Sequence, residues 1–300
     1  MERTSSRYAD FLAAPNRALG HVRVDGAWVA KYQNDPDAES PAGGVSSSAR
    51  DVAQWLRLQL GGGAFQGTQV IDGAALAETH RPQIVRSPPK DPATDRAGFY
   101  GLGWNVDYDD RGAVRLSHSG AFKLGAATAV SLLPAENVGI VVLTNMAPIG
   151  VPEAIATSFL DLAQRGQVQK DYLPVYQQAF AQLGAPPYGT EVDYAKPPAQ
   201  ASAAAPLAAY AGTYNNSYCG DIRIVAKDGG LVLQRGAQLT PFPLTHYDRD
   251  VFSYQPTGEM AYGLSGVTFT LGPDGKASRV VIEDLDIYGA GTLGRVQPGP

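Results

Sequence analysis

The sequence predicts an α+β fold, an antiparallel sheet with covering helices, followed by a small all-β, barrel-like domain. Three observations lead there. Between residues 99 and 144, short strand-like segments alternate with turns, and segments of helical spacing flank them. Residues 186–206 hold Pro186-Pro187, Pro197-Pro198 and the run Ala-Ser-Ala-Ala-Ala-Pro, the composition of a connector rather than a core. Beyond it the chain becomes a series of brief alternating segments with tight-turn signals.

The first 40 residues are polar and irregular and read as a loop-rich excursion. Pro41-Ala42-Gly43-Gly44 is a turn. Ser48 then caps a helix, with Asp51 three positions on as the second half of a capping box. Val52, Trp55, Leu56 and Leu60 recur at helical spacing, and Gly61-Gly62-Gly63 stops the helix. A short helix is expected over 73–80. Strands follow over 99–106 and 114–117, the latter running into His118-Ser119-Gly120, then over 126–133 and 138–144. Pro152 opens an amphipathic helix to about residue 163, carrying Ile155, Phe159, Leu160 and Leu162. The organisation is thus 1–185, a connector over 186–206, and a β unit over 207–296. That last unit has seven candidate strands (210–214, 222–226, 231–235, 239–246, 251–254, 266–271 and 277–284), with hairpin turns at Asp228-Gly229-Gly230 and Pro273-Asp274-Gly275.

Composition narrows the chemistry. Three hundred residues allow one large or two medium domains. A net charge of -5 with no basic run argues against nucleic acid as a partner. The single cysteine, Cys219, can form neither an internal disulfide nor a cysteine-based metal site. The four histidines (21, 80, 118 and 246) have no HExxH-like spacing, so neither metal nor cofactor is expected. No stretch approaches the ~20 apolar residues of a membrane span. Met1 to Ser6 leads no apolar core, so the chain as written reads as cytoplasmic.

His118 is the first candidate for function. A strand-end histidine followed by glycine lets a ligand approach the backbone, or it is simply a half-buried turn histidine. Ser119 is a poor nucleophile for His118, because neighbouring side chains on a strand point to opposite faces. Ser46-Ser47-Ser48 reads as a turn and a helix cap, and no GxSxG elbow occurs. Tyr100, Trp104, Tyr108 and Phe122 either line a pocket beside His118 or belong to the core. Glu283-Asp284-Leu285-Asp286, near the end of a β segment, either attracts a cation or is a solvated edge, and the solvated edge is the expected reading.

Four segments in order resemble one family. Pro41 to Ala53 is similar to the "PAGGLxSTAxDLA" segment of the class C β-lactamase-like serine hydrolases, which include penicillin-binding-protein-related D-amino-acid peptidases and esterases. Tyr100-Gly101-Leu102-Gly103-Trp104 resembles their "YGLGW" strand, His118-Ser119-Gly120 their "HxG" motif, and Leu143-Thr144-Asn145 their final sheet strand. The segment from Tyr210 resembles the lipocalin-like C-terminal domain often attached to such hydrolases. The resemblance implies a β-lactamase/transpeptidase-like fold and acyl-enzyme chemistry on a peptide, lactam or ester. It implies catalytic-site roles for His118, Gly120 and Ala121, with the Ala121 amide in an oxyanion hole, and substrate-pocket roles for Ser119, Phe122, Tyr100 and Trp104.

The family's nucleophile sits in a Ser-x-x-Lys motif and its proton manager in Tyr-x-Asn or Tyr-x-Ser, both ahead of the PAGG segment. Both motifs are read as absent from this chain. Met1 to Ser5 and Asn16 to His21 resemble the later "GMxxTSF" and "NxAxGY" segments, so the fold is expected to be partial, truncated at its N-terminus, and inactive alone. Complete relatives are periplasmic or secreted. Three readings follow: a hydrolase fragment, a non-catalytic peptide or small-ligand binder, or one chain of a split hydrolase. An exposed sheet edge would favour association, either as a homo-oligomer or with a complementing chain.

Overall fold

The computed structural model describes residues 1–183, 185–259 and 261–297. The chain divides into two compact units, 1–184 and 185–300. The first is α+β with antiparallel sheets, and the second is a closed eight-stranded β-barrel.

In the first unit, α1 (Tyr8–Ala13) precedes a hairpin of β1 (His21–Val24) and β2 (Ala27–Ala30). The 1–40 stretch is therefore more ordered than its polarity predicts. Its overlooked signal is Asp25-Gly26, both at positive φ, the two-residue turn that matches strand twist. A short α2 (Ser40–Gly43) leads to α3 (Ala49–Leu60), whose Ser48 side chain caps the Asp51 amide. The Asp51 carboxylate does not close a capping box. It accepts from the Arg3 amide and the Thr4 hydroxyl, each at 2.8 Å, tying the start of the chain to this helix. These bonds hold its pKa below the usual carboxylate value, the Arg3 bond contributing most.

A small hairpin, β3 (Ala64–Phe65) and β4 (Thr68–Gln69), and α4 (Gly73–Thr79) lead into the main sheet. Its strands are β5 (Ile84–Ser87), β6 (Gly98–Tyr100), β7 (Asn105–Tyr108), β8 (Val114–Phe122), β9 (Ala126–Leu133) and β10 (Val138–Thr144), in simple antiparallel order. The single strand expected over 99–106 is instead a hairpin. Gly103, at φ +88, turns the chain, and Tyr100 pairs with Asn105. Leu56, Trp104, Val106, Leu116 and Leu132 form the core between α3 and one sheet face. On the opposite face α5 (Val151–Arg165) packs against β9 and β10, with α6 (Leu173–Leu183) beside it.

The second unit opens with a turn of helix, α7 (Leu207–Tyr210), where a strand was expected to begin. Eight strands follow: β11 (Gly212–Asn216), β12 (Gly220–Lys227), β13 (Gly230–Arg235), β14 (Thr240–Asp248), β15 (Val251–Tyr254), β16 (Ser265–Leu271), β17 (Ala277–Ile282) and β18 (Thr292–Arg295). The seven-strand expectation missed β18, which closes the barrel against β11 through Tyr214↔Arg295 and Asn215↔Gly294. Four residues with two glycines nearby carry too little pattern to be seen without their partners. Tyr214, Ile222, Ile224, Leu233, Val267, Val280, Ile282 and Leu293 fill the interior at 0–2% exposure. The barrel core is side chains, as eight strands allow.

The stretch expected to be a free connector is partly packed. Tyr188 and Tyr194 are buried, and the Tyr194 hydroxyl donates to Glu283 at 2.5 Å. Glu283-Asp284-Leu285, expected to be a solvated edge, is a 3-10 turn whose Asp284 is buried and bonded to Arg235 at 2.6 Å.

Candidate functional site

β7 and β8 pair only as far as Asn105↔Ser117, whereas β9 runs beside β8 to Phe122↔Ala126. No described strand pairs with residues 118–122 on the β7 side. His118, Ser119, Gly120 and Ala121 are exposed there, with Phe122 half-buried. A strand in this state offers unpaired backbone donors and acceptors to any extended ligand.

The alternation of β8 sorts its side chains. Leu116 lies in the core under α3, so His118 and Gly120 follow it to that face. Ser119 points the other way, and its hydroxyl donates to Glu153 Oε1 of α5 at 2.5 Å. His118 and Ser119 are therefore separated by the sheet itself.

Tyr100 comes beside His118, with its hydroxyl 3.1 Å from Nε2. Phe122 meets the PAGG segment: a Cβ on Gly43 would lie 2.8 Å from the Phe122 ring. That contact accounts for glycine at 43 and joins two stretches 80 residues apart. Trp104, grouped with the pocket from sequence, is 4% exposed. It stacks on Trp55 at 5.4 Å between centroids and meets His80 edge-on at 5.5 Å. It is core, and the exposed aromatics of this region are Tyr108 and the partly open Tyr100 and Phe122.

Two other resembling segments are structural ties. The Asn145 side chain donates to Leu19 O at 2.9 Å, and the His21 amide donates to Asn145 O at 2.8 Å. The strings Ser-x-x-Lys and Tyr-x-Asn do occur in the chain, which corrects the reading that it lacks them, but in the wrong settings. Ser87-Pro88-Pro89-Lys90 leaves the end of β5 with no helix to stack serine and lysine on one face. Tyr32-Gln33-Asn34 is loop, and Tyr214-Asn215-Asn216 is a barrel strand with Tyr214 fully buried. Among the described residues none of these makes a hydrogen bond to residues 118–121. No group of three His, Cys, Asp or Glu residues is placed to hold a metal ion, again among the described residues.

An antiparallel sheet between helices, with a His-Ser-Gly strand left open at one edge, is an arrangement of the β-lactamase and penicillin-binding-protein kind. The Beta-lactamase family model matches residues 1–165, more than half the chain, and the chain belongs to that family. A domain of unknown function (DUF3471) matches residues 196–291. No curated protein matches significantly.

Among solved structures, the C-terminal domain of a penicillin binding protein is 28% identical over 35% of this chain and 98% of that one, with a TM-score of 0.31. An octameric penicillin-binding protein homologue from Pyrococcus abyssi is 17% identical over 98% of this chain, with a TM-score of 0.46. A class C beta lactamase from Rhodobacter sphaeroides is 22% identical over 49% of this chain, with a TM-score of 0.36. The chain spans 56% and 45% of the lengths of these last two. Among the described residues no helix is long and apolar enough to cross a membrane.

Proposed function

We propose that the first unit carries the substrate wall of an acyl-transfer site for a peptide, lactam or ester. The observation that carries this reading is the exposed, one-sided stretch His118–Phe122 within a Beta-lactamase family match. An extended acyl group lying along this edge gains backbone hydrogen bonds. The Ala121 amide serves as one oxyanion donor, and His118 orients the ligand from the α3 face. Phe122 and Tyr100 border the ligand. Ser119, turned toward Glu153, contributes through the strand rather than through its hydroxyl.

Among the described residues no serine has a helical Lys partner at this edge, so acylation requires a nucleophile-bearing segment beyond them. The second unit, likened from sequence to a lipocalin-like domain, is read as a structural module, since its own side chains occupy the barrel interior. Treating the purified chain with a fluorophosphonate and with a fluorescent penicillin tests the reading. No stoichiometric labelling is expected. Fusing a relative's Ser-x-x-Lys and Tyr-x-Asn region ahead of Met1 should restore labelling, and His118→Ala should slow it. Stoichiometric labelling of the chain alone would overturn the reading.

A further inference from the structure

We propose that Tyr100 is a positioning residue that sets the tautomer of His118: the neutral imidazole carries its proton on Nδ1 and presents that N–H to the ligand. Only the identity of the ligand, an acyl carbonyl or carboxylate, rests on the acyl-site reading above.

Both partners stand on fixed backbone. Tyr100 ends β6, is paired with Ile84 on one side and Asn105 on the other, and its carbonyl accepts from the Gln83 amide at 2.8 Å. His118 is the first residue of β8 beyond the reach of β7, and Val130 of β9 holds it from the other side. Asn105 pairs with both Tyr100 and Ser117, so the Tyr100 side chain reaches His118 across the end of β7. The hydroxyl lies 3.1 Å from Nε2 while the ring centroids are 6.1 Å apart at 60°, a hydrogen-bonding contact rather than a stack.

The direction of the bond follows from chemistry. A phenol O–H is a good donor, and an sp² imidazole nitrogen is a stronger acceptor than a phenol oxygen. The Tyr100 hydroxyl has no other protein acceptor among the described residues. Donation from Tyr100 to Nε2 leaves Nδ1 protonated, and among the described residues Nδ1 has no protein partner on this exposed ring. The hydrogen bond at one nitrogen thus decides what the other offers.

Long-range ¹H–¹⁵N correlation spectra of histidine-labelled full chain at pH 8 test this. Only four histidines are present, and His118→Gln assigns the fourth signal. The Nδ1–H form is expected to dominate at His118. Tyr100→Phe should invert the ratio toward Nε2–H and leave His21, His80 and His246 unchanged, which also reports that the fold is intact. A dominant Nε2–H form in the parent chain, or an unchanged ratio in Tyr100→Phe, would overturn the proposal. The readout needs no acyl chemistry, so a failed labelling experiment and a failed tautomer experiment are separate results.

Discussion

Replacing Asp284 by alanine should destabilise the barrel by about 3 kcal/mol. The Asp284 side chain is 2% exposed and accepts from Arg235 Nη1 at 2.6 Å, the Tyr254 hydroxyl at 2.5 Å and the Ser265 hydroxyl at 2.9 Å. Arg235 also lies over the Phe242 and Tyr254 rings, 5.0 and 5.5 Å from their centroids. Alanine removes the acceptor that all three share and, among the described residues, leaves the charged Arg235 with only the Tyr254 hydroxyl, at 2.8 Å, in its place. Removing one partner of a buried pair costs about 3–5 kcal/mol. Because the Arg235 side chain keeps 20% of its exposure, water recovers part of its solvation and the lower end applies. With a urea m-value of about 1.5 kcal/mol/M for a unit of this size, the midpoint should fall by about 2 M. The tryptophans, at 28, 55 and 104, all precede the second unit. Tryptophan fluorescence therefore follows the first unit alone, and a near-UV circular dichroism change at the tyrosine band that occurs without a fluorescence change reports the barrel unit, which holds nine of the 15 tyrosines. The double variant Arg235→Met with Asp284→Leu should lose less than Asp284→Ala alone, because it leaves no unpaired charge. A loss under about 1 kcal/mol for Asp284→Ala, or a double variant worse than the single, would refute the reasoning.

Four further outcomes are expected. Ser48→Ala should lower the urea midpoint of the tryptophan transition by the equivalent of about 1 kcal/mol, the worth of a helix cap. Gly43→Ala should cost about 1–3 kcal/mol in thermal melts through its clash with Phe122, and Phe122→Leu in the same chain should recover part of it. Burial lowers the pKa of His80, which bonds to Gln59 and meets Trp104 edge-on. The unfolded chain then binds the extra proton first. His80's contribution is fully present above the ordinary histidine value of about 6.5 and is lost as pH falls through the lower folded value. Urea midpoints by tryptophan fluorescence at pH 7.5 and 5.5 should therefore drop more for the parent than for His80→Gln, and equal drops would exclude His80 as the source. β10 is an uncharged edge strand beside a groove of about 510 Å³ that includes Ile140, Ile155, Phe159 and Leu162. Placing a charge there through the exposed Leu143→Lys should reduce concentration-dependent light scattering; unchanged scattering would show that this edge does not drive association.

The sequence by itself determined the elements whose cause is local. Ser48 with the Val52–Leu60 stripe made α3 legible, Pro152 made α5 legible, and the alternation of residues 126–144 made β9 and β10 legible. The opposed faces of His118 and Ser119 followed from strand geometry alone, and the motif order pointed to the Beta-lactamase family that matches residues 1–165. Tertiary structure decided what depends on distant partners. Trp104 has the look of a pocket aromatic until Trp55 and His80 cover it. Tyr188 and Tyr194 sit in connector-like composition until the barrel buries them, and β18 becomes a strand only because β11 and β17 flank it. The open edge at His118–Phe122 exists because β7 stops at Asn105, a length mismatch between neighbours that no single segment encodes. Local spacing fixes which way a side chain points, but burial and strand pairing are properties of pairs far apart in the chain, and these made His118 accessible and Trp104 core.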